Sequence, residues 1–147
     1  MCDPSSGTSG FFGWSLIATP GCQDDARSTY TRSARMAFHE KGISYTLDPQ
    51  PLHSPALNAI HPFGKVPALR IGELTLFETS AILRYVDEAF PGPRLMPESP
   101  ADRARAEQWI SALNCYFYDA MAIRYVLKYI FPKGTDGKPE RTTGREV

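Results

Sequence analysis

The sequence has little cysteine, no long apolar run and no excess of charge of either sign. Its three cysteines, Cys2, Cys22 and Cys115, form no CxxC pair. An odd, scattered set fits a reducing compartment better than a disulfide framework, so we expect a cytoplasmic protein. No apolar stretch approaches the ~20 residues that a membrane helix needs. The sequence also lacks a secretory signal, because the apolar residues 11–18 follow a start without a basic residue.

Charge and histidine spacing exclude further classes of function. Lysine and arginine together number 16, as do aspartate and glutamate, so the formal net charge is zero. No global field therefore attracts nucleic acid or an anionic membrane, and neither is expected as a partner. The three histidines show no metal-ligand spacing, so we predict no metal cofactor.

The first two thirds of the sequence predict a small α/β domain. With 147 residues, of which 42% are hydrophobic, the chain has the composition of an ordinary globular protein. Residues 1–10 are rich in glycine and serine and are predicted to be disordered. Apolar periodicity, caps and breakers predict the order β-α-β-α-β-β-α within residues 11–90. The predicted elements are a strand in 11–19, a helix over 29–41, a strand over 43–47, a helix over 55–60, strands over 66–71 and 74–77, and a helix over 80–90.

The character of the sequence changes after a proline-rich linker at residues 91–99. Ser99 and Pro100 are a cap followed by a proline at the first helical position, which predicts one long helix over 100–131. Its apolar face, which includes Trp109 and Phe117, is expected to pack against partner helices. None follow, because residues 132–147 have the composition of a polar tail. We therefore expect an all-helical domain that is truncated and leaves its apolar face exposed.

Two short motifs indicate a binding site in two parts. Residues 61–69, HPFGKVPAL, lead from a loop into a strand, and residues 77–82, FETSAI, lead from a strand into a helix. Pro67 cannot donate to a β ladder, so the neighbouring Val66 can offer its backbone N–H and C=O to a peptide-like ligand. A helix N-terminus favours a carboxylate. Together the motifs predict a pocket for a small peptide that carries carboxylates.

These motifs resemble those of the cytosolic glutathione S-transferase superfamily, and the resemblance covers about residues 28–131. It implies a thioredoxin-like N-terminal domain that binds glutathione as co-substrate, followed by a helical domain that binds a small electrophile. The run RSTYTR at 27–32 resembles the serine-type, phi-like or bacterial start of the first helix. A homodimer is left open, since the family's dimer uses parts that this sequence does not include.

The resemblance assigns roles to six residues of the binding half. Pro67 corresponds to the family's cis-proline, which turns the backbone of Val66 toward the cysteinyl part of glutathione. Glu78 and Thr79 correspond to the pair that holds the γ-glutamyl group. Two basic residues correspond to those that meet the glycyl end of glutathione. Lys65 matches the family position just before Val66 and Pro67. His53 matches its position only weakly, because the loop is short here.

The reacting half depends on a group that stabilises the thiolate of glutathione. Ser28 is the candidate donor by resemblance, because it lies at the start of the first helix. From spacing alone it is equally well explained as a helix cap. Cys22, as in cysteine-type members that carry out thiol exchange, and Tyr30 are rivals. Three functions follow: a glutathione transferase or a fragment of one, a glutathione-binding module without catalysis, and a thiol oxidoreductase that uses Cys22.

Overall fold

The computed structural model describes residues 14–18, 28–126 and 128. Contacts divide the chain into two units, Met1–Leu95 and Met96–Val147. The predicted disordered start at 1–10 and polar tail at 132–147 lie outside the described residues, and so does the end of the predicted long helix at 129–131.

A four-stranded mixed sheet forms the first unit. Its strands are β1 (Trp14–Ala18), β2 (Thr46–Pro49), β3 (Ala68–Ile71) and β4 (Leu74–Phe77). They lie in the order β2-β1-β3-β4. β1 is parallel to β2 and antiparallel to β3, and β3 is antiparallel to β4. This confirms the predicted α/β, thioredoxin-like class.

Three helices complete the first unit: α1 (Thr29–Glu40), α2 (Pro55–Asn58) and α3 (Thr79–Ala89). The predicted starts of α1 and α2 are confirmed because each is set by a local cap. Ser28 Oγ accepts a hydrogen bond from Thr31 N at 3.2 Å, and Ser54 Oγ accepts one from Leu57 N at 3.2 Å. α2 ends at Asn58, two residues before the predicted end at residue 60.

The second strand begins three residues later, and ends two residues later, than the sequence predicts. The alternation over 43–47 reflects burial, because Ile43 and Tyr45 pack against the core without joining a ladder. β2 ends instead on Pro49, which is opposite Ala18 in the register with β1. Since β2 is an outermost strand of the sheet, a proline without an N–H is tolerated there.

The core lies on both faces of the sheet. Leu16 and Ile17 are adjacent in β1 and point to opposite faces, and both are buried. On one face, Leu16 joins a cluster with α1 and α3, and on the other face Ile17 packs with α2. The first cluster consists of Leu16, Ala34, Ala37, Phe38, Leu69, Ile82 and Val86, and the second of Ile17, Leu57 and Ala68.

The second unit begins with α4 (Pro100–Ala112), whose start at Pro100 confirms the prediction. The chain then continues in two π-helical segments, Leu113–Phe117 and Asp119–Val126, where a single α-helix was predicted. Apolar periodicity predicts a helix but does not fix whether hydrogen bonds span four or five residues. The predicted apolar face is largely exposed, with Trp109 63% and Phe117 47% accessible. None of the helices within residues 28–126 has the combination of length and hydropathy that spanning a membrane requires.

Candidate functional site

Both parts of the motif and the start of α1 converge on one edge of the sheet. β1 and β4 both run antiparallel to β3, so both end at the edge where β3 begins. α3 starts directly after β4, and α1 is the helix that follows β1. The N-termini of two helices and the loop before β3 therefore share this edge, which is where open α/β sheets commonly bind ligands.

Sheet register brings the two parts of the motif side by side. Ala68 is paired with Phe77 in the β3–β4 ladder. Pro67 and Glu78 immediately flank this pair on the two strands. The Val66–Pro67 peptide bond is cis, as the resemblance predicts. A segment of ten intervening residues thus folds back as a hairpin and places the loop of Val66 beside the N-terminus of α3.

Glu78 has an unusual backbone conformation at the N-cap of α3. Its φ is 68° and its ψ is 123°, and its side chain makes no capping hydrogen bond. Positive φ is uncommon for a residue other than glycine, and such residues cluster at functional sites. The carboxylate is exposed, and Thr79 follows as the first residue of the helix. This end of α3 therefore presents a carboxylate, a hydroxyl and backbone N–H groups to a ligand.

His53, just before α2, and Lys65, after it, lie in two segments that meet at Gly64. The N–H of His53 donates to Gly64 O at 3.0 Å, and Asn58 Nδ2 donates to His53 O at 3.1 Å. His53 has a φ of 59°, and Gly64 has the same φ. A Cβ on Gly64 would overlap His53 Nδ1 and lie 2.6 Å from Asn58 Oδ1. The structure thus places the imidazole of His53 against the residue that precedes Lys65, and both basic side chains are exposed.

Ser28 is the N-cap of α1, at the same edge of the sheet. Its Oγ accepts a hydrogen bond from the Thr31 backbone N–H. This bond uses a lone pair of the hydroxyl oxygen and leaves the hydroxyl proton to be donated elsewhere. Capping and donation to sulfur are therefore compatible roles for one side chain.

Of the two rivals of Ser28, the structure describes only Tyr30. Cys22 lies outside the described residues. Tyr30 is the second residue of α1 and is half-buried. Tyr30 lies two residues beyond the cap, so it is further from the N-terminus of α1 than Ser28.

Sequence analysis missed His61, which the structure buries beside the site. Only 3% of the residue is accessible, and its Nδ1 accepts a hydrogen bond from Phe63 N at 3.3 Å. Its ring centroid lies 4.9 Å from that of Phe77. Burial lowers the pKa of His61 from its ordinary value, the Glu78 carboxylate opposes this shift, and Lys65 adds to it. The sequence signal for this residue is its place as the first residue of the motif HPFGKVPAL.

Across residues 14–18 and 28–126, no three His, Cys, Asp or Glu side chains are grouped so that they could hold an ion.

Comparison with known proteins gives matches along the first unit and beyond it. Residues 24–94 match the family model described as glutathione S-transferase, N-terminal domain. The chain is 33% identical over 101 residues to the stringent starvation protein A homolog of Pasteurella multocida, covering 67% of this chain and 47% of that protein. It is 36% identical over 111 residues to glutathione S-transferase F11 of Arabidopsis thaliana, covering 71% of this chain and 51% of that protein.

Solved structures give the same result. A glutathione transferase homolog from Sulfitobacter, determined with bound glutathione, matches with a TM-score of 0.65 and 26% identity. The match covers 86% of this chain and 60% of that one. The chain spans about half the length of the curated relatives it matches.

Proposed function

Through residues 24–94 this chain belongs to the cytosolic glutathione S-transferase superfamily, and from this premise we propose that it binds glutathione and stabilises its thiolate for attack on a small electrophile. The proposed binding residues are Val66, Pro67, Glu78, Thr79, Lys65 and His53, and the proposed catalytic residue is Ser28. A cytoplasmic location and a homodimer stay predictions of the sequence.

The geometry of Glu78 is the observation that carries the binding proposal. Its carboxylate is exposed and makes no cap to its own helix, although a residue at this position commonly does so. The γ-glutamyl group of glutathione carries an ammonium and a carboxylate. The Glu78 carboxylate suits the ammonium, and the Thr79 hydroxyl with the N-terminus of α3 suits the carboxylate.

The rest of glutathione extends from α3 toward the loop before β3. Val66, next to Pro67, offers backbone groups to the cysteinyl part, which is itself a peptide. Beyond Val66, the chain leads back to Lys65 and to the loop that holds His53. Two basic side chains there match the charge of the glycyl carboxylate. The order of groups along the edge therefore follows the order of residues in the tripeptide.

The proposed chemistry depends on the ionisation of the glutathione thiol. A free thiol has a pKa of ~8.5, so only a few per cent is thiolate near neutral pH. The Ser28 hydroxyl at the N-terminus of α1 would donate to the sulfur and favour its anionic form. The thiol proton passes to solvent, the thiolate forms a bond to the electrophilic atom, and the leaving group departs with its electron pair.

Binding can be tested at Glu78 by isothermal titration calorimetry with glutathione. Glu78→Gln keeps the shape of the side chain and removes its charge, and we expect about 10- to 100-fold weaker binding because a hydrogen bond to a charged group contributes ~1.5–3 kcal/mol. Glu73→Gln is the matched control, since Glu73 is exposed in the β3–β4 turn. Equal affinities of the two variants would contradict the proposal.

A second candidate is a glutathione-binding module without catalysis. It is favoured by the similarity to the stringent starvation protein A homolog, whose name is not that of a transferase. This candidate predicts retention on immobilised glutathione with no conjugation of a reactive aryl halide. The third candidate, a thiol oxidoreductase, predicts an activity that Cys22→Ser abolishes.

A further inference from the structure

We infer that His61 is a positioning residue of the proposed glutathione site, and that its neutral imidazole holds the two parts of this site together. The inference rests on the proposed function, because the geometry that His61 maintains matters for binding only if glutathione binds at this edge. It adds a pH dependence to the site that the transferase chemistry does not itself require.

His61 holds the turn that leads into the ligand-binding loop. Its backbone N–H donates to Leu57 O at 2.8 Å, and its carbonyl accepts from Gly64 N at 2.8 Å. Its Nδ1 accepts from Phe63 N at 3.3 Å. Three hydrogen bonds thus involve one residue, and the chain proceeds from Gly64 directly to Lys65 and Val66.

The imidazole also contacts the other part of the site. Its ring lies against Phe77, with centroids 4.9 Å apart and planes inclined by 39°. Phe77 is the last residue of β4 and immediately precedes Glu78. One buried side chain therefore connects the loop of Val66 with Phe77, the residue before the N-cap of α3.

One contact of His61, the hydrogen bond that its Nδ1 accepts from Phe63 N, requires the neutral form of the ring. In the imidazolium both ring nitrogens carry protons, so Nδ1 can no longer accept from Phe63 N. The charged groups that act on the ring are Glu78 after β4 and Lys65 in its own loop. The other packed elements, α2 (Pro55–Asn58) and β4 (Leu74–Phe77), contain no titratable side chain.

The sign of the pH dependence follows from these contacts. Burial lowers the pKa of His61, so the folded site favours the neutral ring. The hydrogen bond from Phe63 N to His61 Nδ1 is present above the ordinary histidine pKa and is lost as the pH falls through the lowered value.

The test is the affinity for S-methylglutathione at pH 7.5 and pH 5.0, measured by calorimetry. This thioether has no titrating thiol, and its carboxyl groups stay largely ionised because α-carboxyl pKa values lie at ~3.5. We expect the wild type to bind about three- to tenfold more weakly at pH 5.0, the range given by one lost hydrogen bond. His61→Asn provides an oxygen acceptor for Phe63 N that does not titrate, so its affinity should lack this fall.

His61→Phe separates the acceptor from the ring. It keeps an aromatic ring beside Phe77 but has no acceptor, so it should bind weakly at both pH values. An equal fall in affinity in the wild type and in His61→Asn would overturn the inference about His61 but not the proposed function. Full affinity of His61→Phe at pH 7.5 would do the same. Absence of binding by the folded wild type at pH 7.5 would overturn the proposed function. Should His61→Phe not fold, the comparison with His61→Asn decides.

Discussion

Lys41 Nζ lies 2.8 Å from Asp87 Oδ1, and this ion pair joins the C-terminal ends of α1 and α3. The two side chains are only 1% and 10% accessible. Lys41 Nζ also donates to the carbonyl oxygens of Asp87 and Phe90, at 3.2 and 3.4 Å, and Asp87 Oδ1 accepts from Leu95 N at 2.8 Å. Because the helix N-termini form the candidate site, the ion pair secures the opposite ends of the two helices that present it.

Removal of the Lys41 charge should destabilise the first unit strongly. Lys41→Gln removes the Lys41 ammonium from the buried carboxylate of Asp87, and breaking a buried pair in this way costs ~3–5 kcal/mol. The free energy of unfolding from urea denaturation measures the effect. Arg105→Gln is the control, since the Arg105–Asp102 pair has a similar distance of 2.9 Å but is 76% and 52% accessible. Its loss should cost ~0–1 kcal/mol, and comparable small effects of both variants would show that the Lys41 pair does not stabilise the fold.

Elements set by local signals could be predicted from the sequence. A serine followed by a proline marks the start of α2 (Ser54 and Pro55) and of α4 (Ser99 and Pro100). Each signal involves only residues that are neighbours in the chain, and both starts are confirmed. β2 was placed wrongly because its position depends on pairing with β1, which is distant in sequence. The π-helical segments were also missed, although Asp119 and Arg124 form an ion pair five residues apart that suits the wider turn.

The site shows the same division between local and distant signals. The motifs around Pro67 and Glu78 identified its two parts, and the β3–β4 register confirms that they are adjacent. The positive φ of Glu78 and the burial of His61 could not be read from residue type. Both depend on tertiary contacts, and histidine is intermediate between the residue types that are mostly buried and those that are mostly exposed. The roles of the site residues stay predictions.

Gly64 should be more sensitive to substitution than a glycine with the same backbone conformation elsewhere. Gly64→Ala requires a side chain at a φ of 59° and an overlap with His53 Nδ1. We expect a loss of stability and weaker glutathione binding, because the loop must move away from His53. Gly42→Ala is the control, since Gly42 has a φ of 64° with no atom within 4 Å of the added Cβ. It should cost only the backbone strain, ~1 kcal/mol, and leave the affinity unchanged. If Gly64→Ala and Gly42→Ala change the affinity equally, the segments of His53 and Lys65 do not take part in glutathione binding.

Ser28→Ala tests capping and catalysis in one residue. Loss of the cap should cost ~1 kcal/mol of stability. Loss of the hydroxyl proton should raise the thiol pKa of bound glutathione, and wherever that pKa lies above the pH each further unit lowers the thiolate fraction about tenfold. The thiolate can be followed by its ultraviolet absorption during a pH titration of the glutathione complex. The rate of aryl halide conjugation should fall with it.

The controls for Ser28 separate its two roles. Ser99→Ala removes a comparable cap, since Asp102 N donates to Ser99 Oγ at 3.5 Å, and it should lower stability without moving the thiol pKa. Ser28→Thr keeps both the cap acceptor and the hydroxyl proton and should restore a low thiol pKa. If Ser28→Ala lowers stability but leaves the thiol pKa and the conjugation rate unchanged, Ser28 is a helix cap and the thiolate is stabilised by another group.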